Sequence, residues 1–362
     1  MPAVHGKPRL ATMHAGVIAA ALWVCGVLPV LQSSSPATQL ATQPPQATAD
    51  SACRQAFAGK QYAAAADCFA RVAAAATLAN SSPADALLME AKSRLHLDDL
   101  PHAETALRAS IKANPQSPEA LYLLGSVLER RGNAKESLGA LTKAAALQAP
   151  TGEQLRIAGL DYVLLGSYRD AIHWLGRSVE LNPANAEAWY DLGRAQMHEG
   201  RFAEATAALR RSLALEPHSA KAEDNVGVCL EAQNQPEAAL AAYSRAVAVA
   251  NTEQHPSEQP FVDYGALLNT RNGFQAALPL LERATQLNPK NSRAFAELSR
   301  ACSGVGEKDR ARSAMEQAVT LDPGNSRLHF QLGRLYRAAG MQAQAQHEFD
   351  LSSHLYGQKS AE

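Results

Sequence analysis

Small residues recur along this chain at a fixed interval. Gly125, Gly159, Gly193 and Gly227 stand 34 residues apart, Gly265 follows at 38, and Gly333 lies 68 further on. Beside them run Leu124, Ala158, Leu192, Val226, Leu298 and Leu332, the inner stripe of an amphipathic helix. A second glycine series, Gly132, Gly166, Gly200, Gly306 and Gly340, keeps the same beat and predicts a reversal where that helix stops. Ala103, Ala171, Ala205, Ala239, Ala277, Ala311 and Ala345 then mark close-packing points on a second helix. Pro115, Pro183, Pro217, Pro289 and Pro323 end it, because a proline cannot continue the hydrogen-bond ladder. The pattern therefore predicts pairs of helices repeated along the chain.

The fullest repeat is 186–219. Trp189 and Leu192-Gly193 are followed by Gly200-Arg201-Phe202, Ala205, Leu209, Leu213 and Pro217. This resembles the tetratricopeptide repeat, whose signature has those residue types on a 34-residue period. One departure is Gln196, where the family has a large apolar residue and this chain elsewhere has Tyr162 or Tyr336. Carrying the register along gives repeats starting near 46, 84, 118, 152, 186, 220, 258, 292 and 326. The first keeps Tyr62, Ala65 and Phe69 but has a weak first helix. Four-residue insertions at 80–83 and 254–257 fall between repeats. Ser352, Ser353 and His354 give the last second helix a polar face, as a terminal repeat requires. The resemblance implies an all-α fold, a superhelical α-solenoid of about nine antiparallel helix pairs over residues 50–357, with a tail at 358–362.

Composition adds exclusions. Lys and Arg total 34 against 35 Asp and Glu, which argues against nucleic acid as a partner. Aromatics at 6% within a hydrophobic content of 46% leave alanine to carry the core, as closely packed helices require.

The amino terminus differs from the rest. Lys7 and Arg9 precede residues 10–31, which contain no Asp, Glu, Lys or Arg. At 1.5 Å per residue this run just spans a bilayer core of about 30 Å. A cleaved signal peptide over 1–31 and an uncleaved inner-membrane anchor both fit it. Small residues at Ser35-Pro36-Ala37 and Ala47-Thr48-Ala49 offer cleavage sites. The basic residues on the leading side predict an extracytoplasmic location, periplasmic or secreted, for the bulk of the chain. Membrane association is expected through residues 10–31 only. Residues 32–49, rich in Ser, Thr, Gln, Pro and Ala, read as a disordered linker.

Catalytic and metal motifs are not found. There is no H-E-x-x-H, no Cys/His cluster at zinc spacing and no G-x-S-x-G. Residues 303–308 lack the full phosphate-loop spacing and read as a turn. The chain is expected to have no enzymatic activity, no cofactor and no metal. Cys229 and Cys302 fall on half-buried slots and read as core fillers. Cys53 and Cys68 leave two readings open, a disulfide that clips the first repeat and separate core thiols. Their slots do not obviously point at one another.

Proteins of the family it resembles bind peptides or proteins in a groove lined by first helices. The fifth, ninth and twelfth slots of each repeat give Lys92, Tyr122, Arg156, Tyr190, Arg194, Met197, Arg300, Phe330, Arg334 and Arg337, with Glu129, Asp224 and Glu231 near the middle. Aromatics and arginines are enriched at binding hot spots. Arg300, Arg334 and Arg337 around Phe330 would suit an acidic or carboxylate-bearing segment. The expected function is an extracytoplasmic protein-interaction scaffold. An accessory subunit of an envelope enzyme or assembly complex, or a self-assembling structural envelope protein, are the alternatives.

Overall fold

A computed structural model of the chain describes residues 45–359, all helices and turns, with no strand among the described residues. It divides into an N-terminal body ending at Pro183 and a C-terminal body starting at Ala184. The N-terminal body holds four antiparallel pairs: α1 (Pro45–Ala58) with α2 (Tyr62–Leu78), α3 (Ala84–His96) with α4 (Leu100–Ala113), α5 (Pro118–Arg130) with α6 (Ala134–Ala145), and α7 (Gly152–Leu164) with α8 (Tyr168–Leu181). The C-terminal body holds five: α9 (Ala186–His198) with α10 (Phe202–Leu215), α11 (Ala220–Ala232) with α12 (Pro236–Ala250), α13 (Gln259–Thr270) with α14 (Phe274–Leu287), α15 (Ser292–Gly304) with α16 (Lys308–Leu321), and α17 (Ser326–Ala338) with α18 (Gln342–Lys359). The apolar run 10–31 lies outside the described residues, and no described helix is long and apolar enough to cross a membrane. Helix α1 begins at Pro45, inside the stretch read as linker.

Within each pair the first helix approaches the second at the small-residue slot. A Cβ on Gly159 would sit 2.5 Å from Cγ of Leu175, and one on Gly227 2.5 Å from Cε1 of Tyr243. Ala91 and Ser299 fill the same slot elsewhere, and both are buried. The reversal follows seven residues later with a left-handed backbone: φ is 77° at Gly132, 72° at Gly166 and 88° at Gly306. Lys60, Asp98, Asn234 and Asn272 hold this position in the repeats that lack glycine, also at positive φ. The second helices stop two residues before Pro115, Pro183, Pro217, Pro289 and Pro323. First helices start on a side-chain cap that shares the beat: Ser117, Thr151, Asn185, Ser219 and Asn291 each accept a backbone N–H from the first turn.

The small-residue slot also explains the cysteines. Cys53 stands at that slot in α1 and is fully buried, so its backbone lies against α2, which carries Cys68. The two form a disulfide with a Cα–Cα distance of 5.4 Å. The close approach at this slot brings together two thiols that their sequence positions did not obviously aim at one another.

The last repeat departs from the expected polar end. Ser353 and His354 are exposed, but Ser352 is half-buried and donates to the Ser326 carbonyl at 2.8 Å. Ser110 donates to Ala84, and Ser178 to Gly152, in the same way. Ser352 thus continues a bond that also ties α4 to the start of α3 and α8 to the start of α7. Beside it, His329 is buried with Nδ1 2.6 Å from Glu348 and Nε2 2.9 Å from the Pro323 carbonyl.

One core position carries the wrong chemistry for its place. Asp161 of α7 is fully buried at a slot that holds Val127, Ala195 and Cys229 in other repeats, and neither carboxylate oxygen has a hydrogen-bond partner among the described residues. Burial pushes its carboxyl up to about 7, with Glu129 adding to the rise and Ser137 opposing it. A carboxyl raised in the folded state stabilises fully below its unfolded value near 4 and loses that contribution as pH rises to 7. Asp161→Asn should therefore gain stability over the native chain between pH 4 and pH 8, by about 4 kcal/mol, in urea titrations at the two pH values. An equal difference at both would contradict the burial account. Reduction of Cys53–Cys68, which closes a span of 15 residues, should remove about 3 kcal/mol of loop constraint. Amide exchange in α1 should then accelerate on reduction while α17 exchanges as before.

Candidate partner-binding surface

The ten sequence-derived positions separate by body. In the N-terminal body, Lys92 of α3 is paired with Glu119 at 2.6 Å, and Arg156 of α7 with Glu153 on its own turn at 2.9 Å. Tyr122 of α5 is only 6% exposed, packs with Leu121, Leu141 and Ile157, and donates to the Gln148 carbonyl at 2.5 Å. Burial pushes its phenol up. It is a core residue, covered from α6 by Leu141 and Ala144 and from α7 by Ile157. A recess of about 490 Å³ in this body is lined by Arg108, Leu121, Leu124 and Lys143 among others, and none of the three predicted positions borders it.

In the C-terminal body the predicted residues come together in two places. Tyr190 of α9 accepts from Asn225 Nδ2 at 3.2 Å, and the Lys221 ammonium stands 4.6 Å from its ring centre. Arg194 lies over the same ring at 5.7 Å, and Met197 packs half-buried against the core of this helix pair. Burial pushes the Tyr190 phenol up.

Arg300 of α15 and Arg334 of α17 line one recess of about 880 Å³ between these two first helices. Arg293 and Arg327 line it as well, with Glu297 and Asp322 the acids and Leu328, Leu335 and Met315 among the apolar residues. Arg293 is held by Asp263 at 2.7 Å, and Arg300 only loosely by Glu297 at 3.9 Å. Among the described residues, neither Arg327 nor Arg334 forms an ion pair. Phe330 and Arg337 leave this recess. Both turn to α18, where Phe330 meets the Phe349 ring at 5.6 Å and Arg337 lies 5.5 Å from it. α18 is the surface these side chains find, and Phe330 remains 50% exposed.

Arg293 and Arg327 were not among the groove slots, yet a signal for them exists. Asn-Ser-Arg occurs at 291–293 and again at 325–327, one repeat apart. A cation repeated at the period of the fold lands on successive first helices at the same height. A second recess, of about 480 Å³, is lined by Tyr190, Lys221, Asp224, Asn225 and the insertion residues His255 and Ser257.

The thiols have no reactive setting: burial pushes Cys229 up to about 11 and raises Cys302 as well. Among the described residues, no group of three or more His, Cys, Asp or Glu converges as a metal site.

Family models described as tetratricopeptide repeat match residues 88–152, 158–220, 200–256, 292–325 and 314–347. The BBSome complex member bbs-4 of Caenorhabditis elegans is 23% identical over 194 residues, which cover 54% of this chain. The match spans 41% of that relative's length. The C-terminal part of a repeat protein from Cytophaga hutchinsonii superposes with a TM-score of 0.55 at 14% identity, covering 69% of this chain and 99% of its own. The Cut9–Hcn1 hetero-tetramer of APC/C gives 0.52 at 15% identity, covering 79% and 56%. At such identities these structures establish the fold alone.

Proposed function

The chain belongs to the tetratricopeptide repeat family, and from that premise we propose that it is a non-enzymatic protein-interaction scaffold acting outside the cytoplasm. Its partner presents an acidic or carboxylate-bearing segment, which docks in the recess between α15 and α17. The observation that carries this is four arginines on two successive first helices around one recess of about 880 Å³, set against two acids. Arg327 and Arg334 keep their planar donors available, and a guanidinium pairs with a carboxylate through two parallel hydrogen bonds. The apolar side chains of Leu328 and Leu335 add area that excludes water around those pairs.

The compartment rests on separate support. A disulfide between Cys53 and Cys68 suits an oxidising environment. Lys7 and Arg9 ahead of the apolar run 10–31 favour export of the residues beyond that run.

A fluorescein-labelled peptide of alternating glutamate and leucine should bind, and weaken as salt rises from 50 to 500 mM. Arg300→Glu with Arg334→Glu should lower its affinity at least tenfold, about 1.4 kcal/mol, while Lys92→Glu leaves it unchanged. Affinity retained by the double variant would rule out this recess. For the compartment, Cys53 and Cys68 of protein taken from native cells and unfolded in denaturant should resist alkylation until reduced. Immediate alkylation would place the chain in a reducing compartment.

A further inference from the structure

The second recess of the C-terminal body has the opposite character. Glu216, Glu253 and Asp224 line it against a single lysine, Lys221, with the imidazoles of His218 and His255 at its edge. Asp224 is the unusual member. It is 5% exposed in the wall of the recess, and its Oδ1 has no hydrogen-bond partner among the described residues. A buried carboxyl with an unused acceptor lacks a donor, and an ammonium or guanidinium supplies one with compensating charge. The Tyr190 ring in the same wall already holds one ammonium, that of the chain's own Lys221 at 4.6 Å from its centre, so the wall suits cations.

Asp224 is also connected to the arginine recess. Its neighbour Asp263 accepts from Gln259 Nε2 at 2.8 Å and pairs with Arg293, which lines that recess. The order Asp224, Asp263, Arg293 runs across the first helices α11, α13 and α15 of one body. First helices packed at about 8–10 Å place Asp224 on α11 and the α15 wall of the arginine recess two spacings apart, about 16–20 Å. An extended peptide covers that in about five to six residues.

Resting on the acidic-segment reading above, we propose that this second recess takes a lysine or arginine side chain of the same partner segment, so that the recognised segment carries a cation about five to six residues from its acidic group. The site thereby gains a polarity and a spacing that a basic recess alone lacks. Proton release is linked to it. Burial and the adjacent Asp263 push Asp224 well above the usual carboxylate range, partly offset by Arg293, so its carboxyl keeps a proton more readily than a free aspartate. An incoming cation favours the ionised form, and binding releases a proton. The other titratable and charged groups facing Asp224 are Tyr190 from α9, Lys221 on its own helix, Tyr243 from α12, Asp263 from α13 and Arg293 from α15, with Glu216, His218, Glu253 and His255 from the flanking loops.

The probes are labelled serine–glycine peptides with one lysine and a Glu-Glu pair separated by two to eight residues, in both orders, with norleucine replacing lysine as control. Affinity on the full chain should peak at four to five intervening residues, at least fivefold above either extreme. Norleucine should lose at least fivefold at that spacing, and Asp224→Asn should remove the lysine advantage. If Asp224→Asn lacks the native circular dichroism, Glu216→Gln with Glu253→Gln on the exposed rim should cut the lysine advantage at least threefold. Calorimetry at pH 7 in buffers of differing ionisation enthalpy should detect a proton released with lysine and not with norleucine. Equal binding of lysine and norleucine peptides, or affinity independent of spacing, overturns this inference and leaves the acidic reading standing. No binding by any glutamate-bearing peptide overturns both.

Discussion

The two helices of each pair lie so close at one slot that only glycine, alanine, serine or a bridged cysteine stands there. Sixteen residues on, the second helix answers with a large side chain: Phe69, Leu107, Leu141, Leu175, Leu209, Tyr243, Leu281, Met315 and Phe349 in order. Knob and gap are interlocked, since a Cβ at Gly193 would fall 2.7 Å from Leu209 and one at Gly333 2.7 Å from Phe349. That contact sets the distance within a pair, and the left-handed residue seven positions on sets the reversal. The alanines of the second helices follow from it, because helices this close leave no volume for larger neighbours. The disulfide follows as well, since a cysteine at the same slot has α2 within bonding reach.

Binding surfaces come from what the shared geometry leaves undetermined. A strict repeat puts the same slot of successive first helices side by side, so whatever occurs there twice becomes a patch. Arg293 with Arg327, and Arg300 with Arg334, are two such doublets, and together they make a basic recess in a chain whose formal net charge is −1. The acidic recess arises differently, beside the four-residue insertion before α13, where His255 and Ser257 form part of the wall. Polar groups buried off the period, Asp161 and Asp224, cost stability wherever they lack a partner. Asp161 lies in closed core, whereas Asp224 lies in a recess wall, and that difference separates a structural cost from a recognition element.

Period, pair boundaries, reversals, the small-residue slot and its alanine partners were all legible in the chain, because each is imposed locally by helix propensity, backbone conformation or a 34-residue spacing. The cap series Ser117, Thr151, Asn185, Ser219 was equally present, since a cap needs only its own first turn. Which groove slots face outward was not. Tyr122 and Tyr190 share one slot, yet the first is buried against α6 and α7 and the second stands in a recess wall. Phe330 and Arg337 hold groove positions but pack on Phe349 of α18. The sequence by itself determined the repeating helix pair; the tertiary structure decided which side chains its stacking buries, pairs or leaves in a recess, because burial depends on neighbours distant along the chain.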